Sequence, residues 1–162
     1  MPYHDIHNLY FAKGGENVAM SELLLRGYNV AVPSVDIGDD IYVVEDSESN
    51  LIRVQVKSSN STKRRYGFSS RMRVSIPQLK QSRRTKLVFI FAFRFEDRWY
   101  FATISREQLE EEVFLRRAGI KSGSEVFFNF RYRTASGELL CSERNFTKYL
   151  NWEKEFPKLK AV

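Results

Sequence analysis

Cysteine and histidine are nearly missing from this chain. It has one cysteine, Cys141, and two histidines, His4 and His7. An internal disulfide is excluded, and so is a zinc finger or ribbon, which needs four such ligands. The expected setting is therefore reducing: cytoplasmic, free or associated with the nucleoid. No apolar run approaches the roughly 20 residues that span a bilayer, and the opening residues lack the basic-then-apolar succession of an export signal. No membrane partner is expected. Proline is sparse, at 4 residues, and no proline- or glycine-rich linker divides the 162 residues, so one domain over 1–162 is expected. The most informative absence is of negative charge: from Asn50 to Phe95 there is no Asp or Glu.

That 46-residue stretch holds 12 of the 26 Lys and Arg residues, which leaves 14 cations against 20 acids elsewhere. It is +12, while the remainder is −6, and the basicity is local. A solvated face normally mixes signs, whereas a one-sign field attracts a polyanion. Lys63, Arg64, Arg65, Arg71 and Arg73, interleaved with Tyr66 and Phe68, are candidates for holding a nucleic-acid backbone and stacking on bases or sugars. Hydrophobic residues make up 43% of the chain and aromatics 14%, enough apolar bulk to fold around this charge.

Residues 1–12 read as an irregular start. Gly14 and Gly15 open a helix to about Arg26, ended by Gly27. Residues 28–32 form a short strand, and 40–45 and 51–57 a hairpin. Residues 58–73 lack a period and read as a mobile basic loop. Residues 86–95 and 98–104 make a second hairpin across Glu96-Asp97, Ser105 caps a helix to about Arg117, and 125–133 is a strand. A turn at Ser136-Gly137 precedes a last helix over about 145–155. The class expected is α/β, a mixed α+β sheet.

Two elements carry polar groups where apolar ones belong. On a helical wheel Glu16 shares the stripe of Ala19, Met20, Leu23 and Leu24, so it points at the sheet, while Glu22 lies beside Arg26 as a solvated carboxylate. In the strand 51–57, Ile52, Val54 and Val56 share one face and Arg53, Gln55 and Lys57 the other. Asp40, at the start of the neighbouring strand, sits near Gln55 and Lys57. An acid, an amide oxygen and a lysine beside a helix carboxylate make a hard-cation site with an adjacent ammonium. Asp36 and Asp39, flanking Gly38, are the less constrained acids. Cys141 reads as a small core residue. Phe128, Phe130 and Tyr132 share a strand face suited to a core or subunit interface, and Val18 and Leu25, opposite the helix stripe, suit a dimer contact.

The series Gly15-Glu16, Leu23 to Gly27, Asp40-Ile41 and Gln55-Val56-Lys57 resembles the PD-(D/E)xK nuclease superfamily in its QxK variant. It is similar to archaeal Holliday-junction resolvases and to QxK homing endonucleases of group I introns. The resemblance implies a restriction-endonuclease-like αβββαβ core over about 14–105, with strand and helix additions over 106–162. It also implies Mg²⁺-dependent hydrolysis of a DNA phosphodiester, with Mn²⁺ as a substitute. Asp40, Gln55, Glu16 and the backbone carbonyl of Val56 would hold the metal, and Lys57 would position the attacking water or steady the phosphate. Cutting both strands implies a homodimer or homotetramer. Gln55 stands where most members have a carboxylate, which keeps open a non-catalytic nucleic-acid-binding protein on the same scaffold.

Overall fold

The structure, a computed structural model, describes residues 3–35, 38–45, 48–81 and 85–159, without the side chains of residues 3–7. It is mixed α+β, built in three layers. The middle layer is a five-stranded sheet in the order β1(Asn29–Ala31), β2(Ile41–Glu45), β3(Asn50–Asn60), β6(Leu87–Phe95), β7(Arg98–Ser105). Helix α1(Tyr3–Leu25) covers one face. The second sheet covers the other, with β4(Thr62–Arg64), β5(Gly67–Ser75), β9(Glu125–Arg133), β10(Glu138–Cys141) and β11(Arg144–Asn145) side by side and β8(Ile120–Ser122) paired to β9.

β6 explains the layering. Its sequence LVFIFAFRF is apolar almost throughout, as befits a strand buried on both faces. Phe89, Phe91 and Phe93 meet Phe68, Met72, Phe128 and Phe130 of the second sheet, while Val88, Ile90 and Ala92 join Ala19 and Leu23 of α1. β2 and β3 form the expected antiparallel hairpin, and β3 and β6 run parallel. The β6–β7 turn is made by Glu96 and Asp97, both at positive φ, as a two-residue hairpin loop requires.

Several expectations are corrected. The helix begins at Tyr3, so residues 3–12 are not irregular and Gly14 and Gly15 lie inside α1. Gly15 is kept by packing: a Cβ there would lie 2.6 Å from Ser58 Cβ. Leu24 is exposed rather than part of the buried stripe. Residues 58–73 are not a loop: β3 continues to Asn60, and β4 and β5 form a hairpin. Its turn needs Gly67, at φ 152°, where a side chain would fall on the Tyr132 carbonyl. This hairpin and the five-residue α2(Ile76–Lys80) form the crossover from β3 to β6, where the αβββαβ pattern expects a full helix. α3(Arg106–Phe114) is capped by the Ser105 hydroxyl as expected but ends before Arg117.

The expected last helix is two single 3₁₀ turns, Thr147–Tyr149 and Trp152–Lys154. They bring residues 153–159 under α1, where the Arg26 guanidinium donates to Glu22 at 3.0 Å, to Glu153 at 2.7 Å and to the Phe156 carbonyl. No helix among the described residues is long and apolar enough to cross a membrane.

Candidate functional site

β3 outruns β2. The last backbone bond between them is from Asp40 N–H to the Val54 carbonyl, at 2.8 Å, and beyond it one edge of β3 is open. Arg53 N–H points to β6, bonding the Lys86 carbonyl. Alternation then aims the N–H and carbonyl of Val56 at the open edge. The Val56 N–H donates to Asp40 Oδ2 at 2.6 Å, and the Gln55 amide nitrogen donates to the same oxygen at 3.0 Å. Among the described residues no hydrogen bond uses Asp40 Oδ1.

Glu16 comes to this edge from α1. It is half-buried and paired with Lys13 at 2.6 Å. Glu16, Asp40, Gln55, Val56 and Lys57 line one cleft of about 1050 Å³, together with Arg71 and Arg73 from β5. Burial is the main cause that raises the Asp40 carboxyl above its ordinary range. The Glu16 charge adds to it, and the Val56 N–H, Lys57 and Gln55 oppose it.

Two carboxylates partly withdrawn from water, beside an outward-facing carbonyl, are what a hard divalent cation relieves. On that ground Asp40, Glu16 and the Val56 carbonyl fit Mg²⁺ or Mn²⁺. The set is sparse: no group of three or more His, Cys, Asp or Glu stands together among the described residues. Gln55 presents its nitrogen to Asp40, and its oxygen accepts from Gln78 of α2, which also donates to the Gly38 carbonyl at 2.8 Å. As a ligand it would have to turn that oxygen from Gln78. Lys13 and Gln78 are the neighbours the sequence did not point to. Gln78 has no signal of its own, since its place depends on where the short α2 seats.

Asp39 is not the unconstrained surface acid expected. It is 5% exposed and pairs with Arg53, equally buried, at 3.5 Å. Asp36, Arg83 and Arg84, and the side chains of His4 and His7, lie outside the described residues. Cys141 is buried in the core as expected, its thiol pushed up to about 12 by burial. Phe128 and Phe130 are core residues too.

The basic segment is partly neutralised by acids from the rest of the chain. Arg53 meets Asp39, Lys63 meets Glu96 at 3.1 Å, Arg73 meets Glu125, Lys86 meets Glu155 and Arg94 meets Asp97. No ion pair is described for Arg64, Arg65 or Arg71. Arg64 donates to Ser69, and Arg65 and Arg71 lie over the rings of Tyr66 and Phe127. A second cleft, of about 1130 Å³, holds Arg64, Arg65, Tyr66 and Arg71 and shares Ser59, Asn60 and Arg71 with the first. It also takes in Arg131 and Arg133, which lie beyond the segment singled out in the sequence.

No family model matches the chain, and no curated protein matches it. Among solved structures it is similar to a bacterial homing endonuclease, I-Ssp6803I, at 20% identity over 72% of this chain and 71% of that one, with a TM-score of 0.44. At that score the likeness is too loose to assign chemistry, which rests on the chain's own residues.

Proposed function

We propose that the chain is a metal-dependent DNA endonuclease, working as one domain in a homo-oligomer, with its centre at the open edge of β3. The observation that supports this most is the Asp40 carboxylate, fixed by the Val56 N–H and the Gln55 amide in a cleft shared with Glu16 and Lys57. A divalent ion bound there would supply Lewis acidity and lower the pKa of its water. Asp40 would hold the ion, with the Val56 carbonyl, Glu16 and, once its oxygen turns, Gln55 as the further ligands. Lys57, next but one to Gln55, orients the attacking water or offsets charge on the phosphate as it gains a fifth oxygen. Lys63, Arg64, Arg65, Tyr66, Arg71 and Arg73 hold the DNA along the adjoining cleft.

The test is incubation of the purified chain with supercoiled, branched and single-stranded DNA in Mg²⁺, Mn²⁺ or EDTA. Cleavage confined to the metal lanes is expected, and no cleavage of any substrate would overturn the enzymatic reading. A non-catalytic DNA-binding protein is the second reading. It is favoured by Gln55 being held by Gln78 and Glu16 by Lys13, and it predicts retention of DNA in every lane without cutting.

A further inference from the structure

The second sheet has an outer face that borders the carboxylate cleft at Arg71, Arg73 and Phe127 and continues beyond it. Along β5 and β9 the inward side chains, Phe68, Met72, Val74, Val126, Phe128 and Phe130, are buried against β6 and β7. The outward ones alternate with them. Arg71 stands opposite Asn129, Arg73 opposite Phe127 and Ser69 opposite Arg131. Arg64 of β4 and Arg133 of β9 flank Gly67 in the same row. Among the described residues every cation in this row is an arginine: Lys63 lies opposite Phe68 and Lys121 opposite Val126, both in the inward register.

The centre of the row differs from its rim, where Arg64, bonded to Ser69, is the one arginine with no described acid. At the rim, Arg73 is paired with Glu125, Arg133 with Glu138 at 2.8 Å, and Arg131 with Glu143. Those three acids would repel a phosphate brought against them. At the centre, Arg71 is laid over the Phe127 ring at 4.5 Å and has no described acid. Its neighbour Asn129 is half-buried, and no hydrogen bond of its side-chain amide is described. A guanidinium and an amide side by side are the two groups that read base edges in pairs of hydrogen bonds, arginine on guanine and asparagine on adenine.

The dimensions agree. Outward residues on one strand recur about every 6.8 Å, two base-pair steps of about 3.4 Å. Two strands about 4.8 Å apart enter a major groove about 12 Å wide.

We propose that the outer face of β5 and β9 reads base sequence in the major groove of duplex DNA, with Asn129 and Arg71 as the specificity-determining pair. This rests on the DNA-directed reading above. It makes the partner a particular duplex sequence rather than any polyanion.

The experiment is selection of binding sites from a randomised duplex library. It uses the full chain carrying Lys57→Ala, so that bound DNA is not cut, alone and combined with Asn129→Ala or Arg71→Ala. The parent should enrich a consensus. Asn129→Ala should lose the preference at one base pair by about 5- to 150-fold and Arg71→Ala at a neighbouring pair, the discrimination of one bidentate contact. Asn129→Ala should change affinity for unselected duplex little, whereas Arg71→Ala also removes a cation and should lower it for all sequences alike, on top of the lost preference at its own base pair. Both side chains are on the surface, and a thermal melt shared by the three proteins checks that they remain folded. The same consensus from all three, with or without a uniform loss of affinity, would overturn the proposal. Plasmid cutting by the unmutated chain in Mg²⁺ is scored separately. Cutting with no consensus removes base reading and leaves the nuclease, whereas a consensus with no cutting keeps base reading and removes the nuclease.

Discussion

Gly15 of α1 rests on Ser58 of β3 so closely that a Cβ on the glycine would stand 2.6 Å from Ser58 Cβ and 2.9 Å from its hydroxyl oxygen. Glycine within a helix normally costs about 1 kcal/mol relative to alanine. Here the sign reverses. Gly15→Ala should lower the melting temperature, because α1 must lift from the sheet, and Gly15→Ala with Ser58→Gly should restore it. Glu16 moves with the helix, so cleavage should fall further than the stability loss alone explains. A higher melting temperature for Gly15→Ala would show that α1 does not pack this tightly.

Asp39 and Arg53 form a buried pair, and the Arg53 Nε has no hydrogen-bond partner among the described residues. Removing the carboxylate would leave a guanidinium buried and uncompensated. Asp39→Asn should destabilise the fold by about 3 kcal/mol, measured by urea denaturation. Replacing both residues by apolar ones should cost less than the single change.

Asp40 has the opposite sign. Burial raises its carboxyl, with Glu16 adding to the effect, so the folded chain binds a proton there more tightly than the unfolded chain does. Its contribution to stability is present below the unfolded value and is lost as the pH rises through the folded one. In metal-free buffer near neutral pH, Asp40→Asn should therefore melt higher than the parent, since the neutral amide can still accept from the Val56 N–H. The same variant should lose the rise in melting temperature that Mg²⁺ or Mn²⁺ gives the parent, and it should lose cleavage. A melting temperature that falls in metal-free buffer would count against the burial argument.

In the proposed reaction Lys57 is one ammonium at the phosphate, and it is one cation among many along the clefts. Lys57→Ala should reduce cleavage by at least about 100-fold while DNA affinity changes only slightly. Nicking and gel-shift assays on one preparation separate the two effects. Full activity in the variant would remove Lys57 from the centre.

Arg64 and Arg65 have no described acidic partner to release. Neutralising both should weaken binding to all duplex sequences alike and flatten the log–log salt dependence by about one unit for each phosphate no longer held. An unchanged affinity at low salt would mean that the β4–β5 hairpin does not touch the DNA backbone.

The middle sheet was legible because its strands alternate or run continuously apolar and its turns carry the right residues. Val54 and Val56 against Gln55 and Lys57, and Glu96-Asp97 between two apolar runs, place β3, β6 and β7 from sequence alone. The second sheet was half legible. Phe68, Met72 and Val74 do alternate with Ser69, Arg71 and Arg73, a period of two hidden by the density of Arg and Ser around it. Its pairing with β9 joins residues about 60 apart, which no local pattern encodes. Asp39 was misplaced for a related reason. A charged residue is expected outside unless its partner is known, and Arg53 shares its pocket only after β2 and β3 have paired. The start of α1 was missed because two glycines read as a boundary when Gly15 is a packing contact.

β3 leads from the carboxylate site to the hairpin of the second sheet, and only Ser58, Ser59, Asn60 and Ser61 separate Lys57 from β4. These residues are still laddered: Ser58, Ser59 and Asn60 pair with β6, and the Ser61 N–H bonds the Arg94 carbonyl at 2.8 Å. There is no hinge between the strand that would cut and the sheet that would read, so their spacing is a fixed length of pleated backbone. With the two proposed roles, such a chain would work as a calliper. It would break the phosphodiester a constant number of steps from the bases it recognises, and because the second sheet is also packed on β6 through Phe68, Phe128 and Phe130, a residue inserted after Asn60 would be taken up as a bulge and leave that spacing the same.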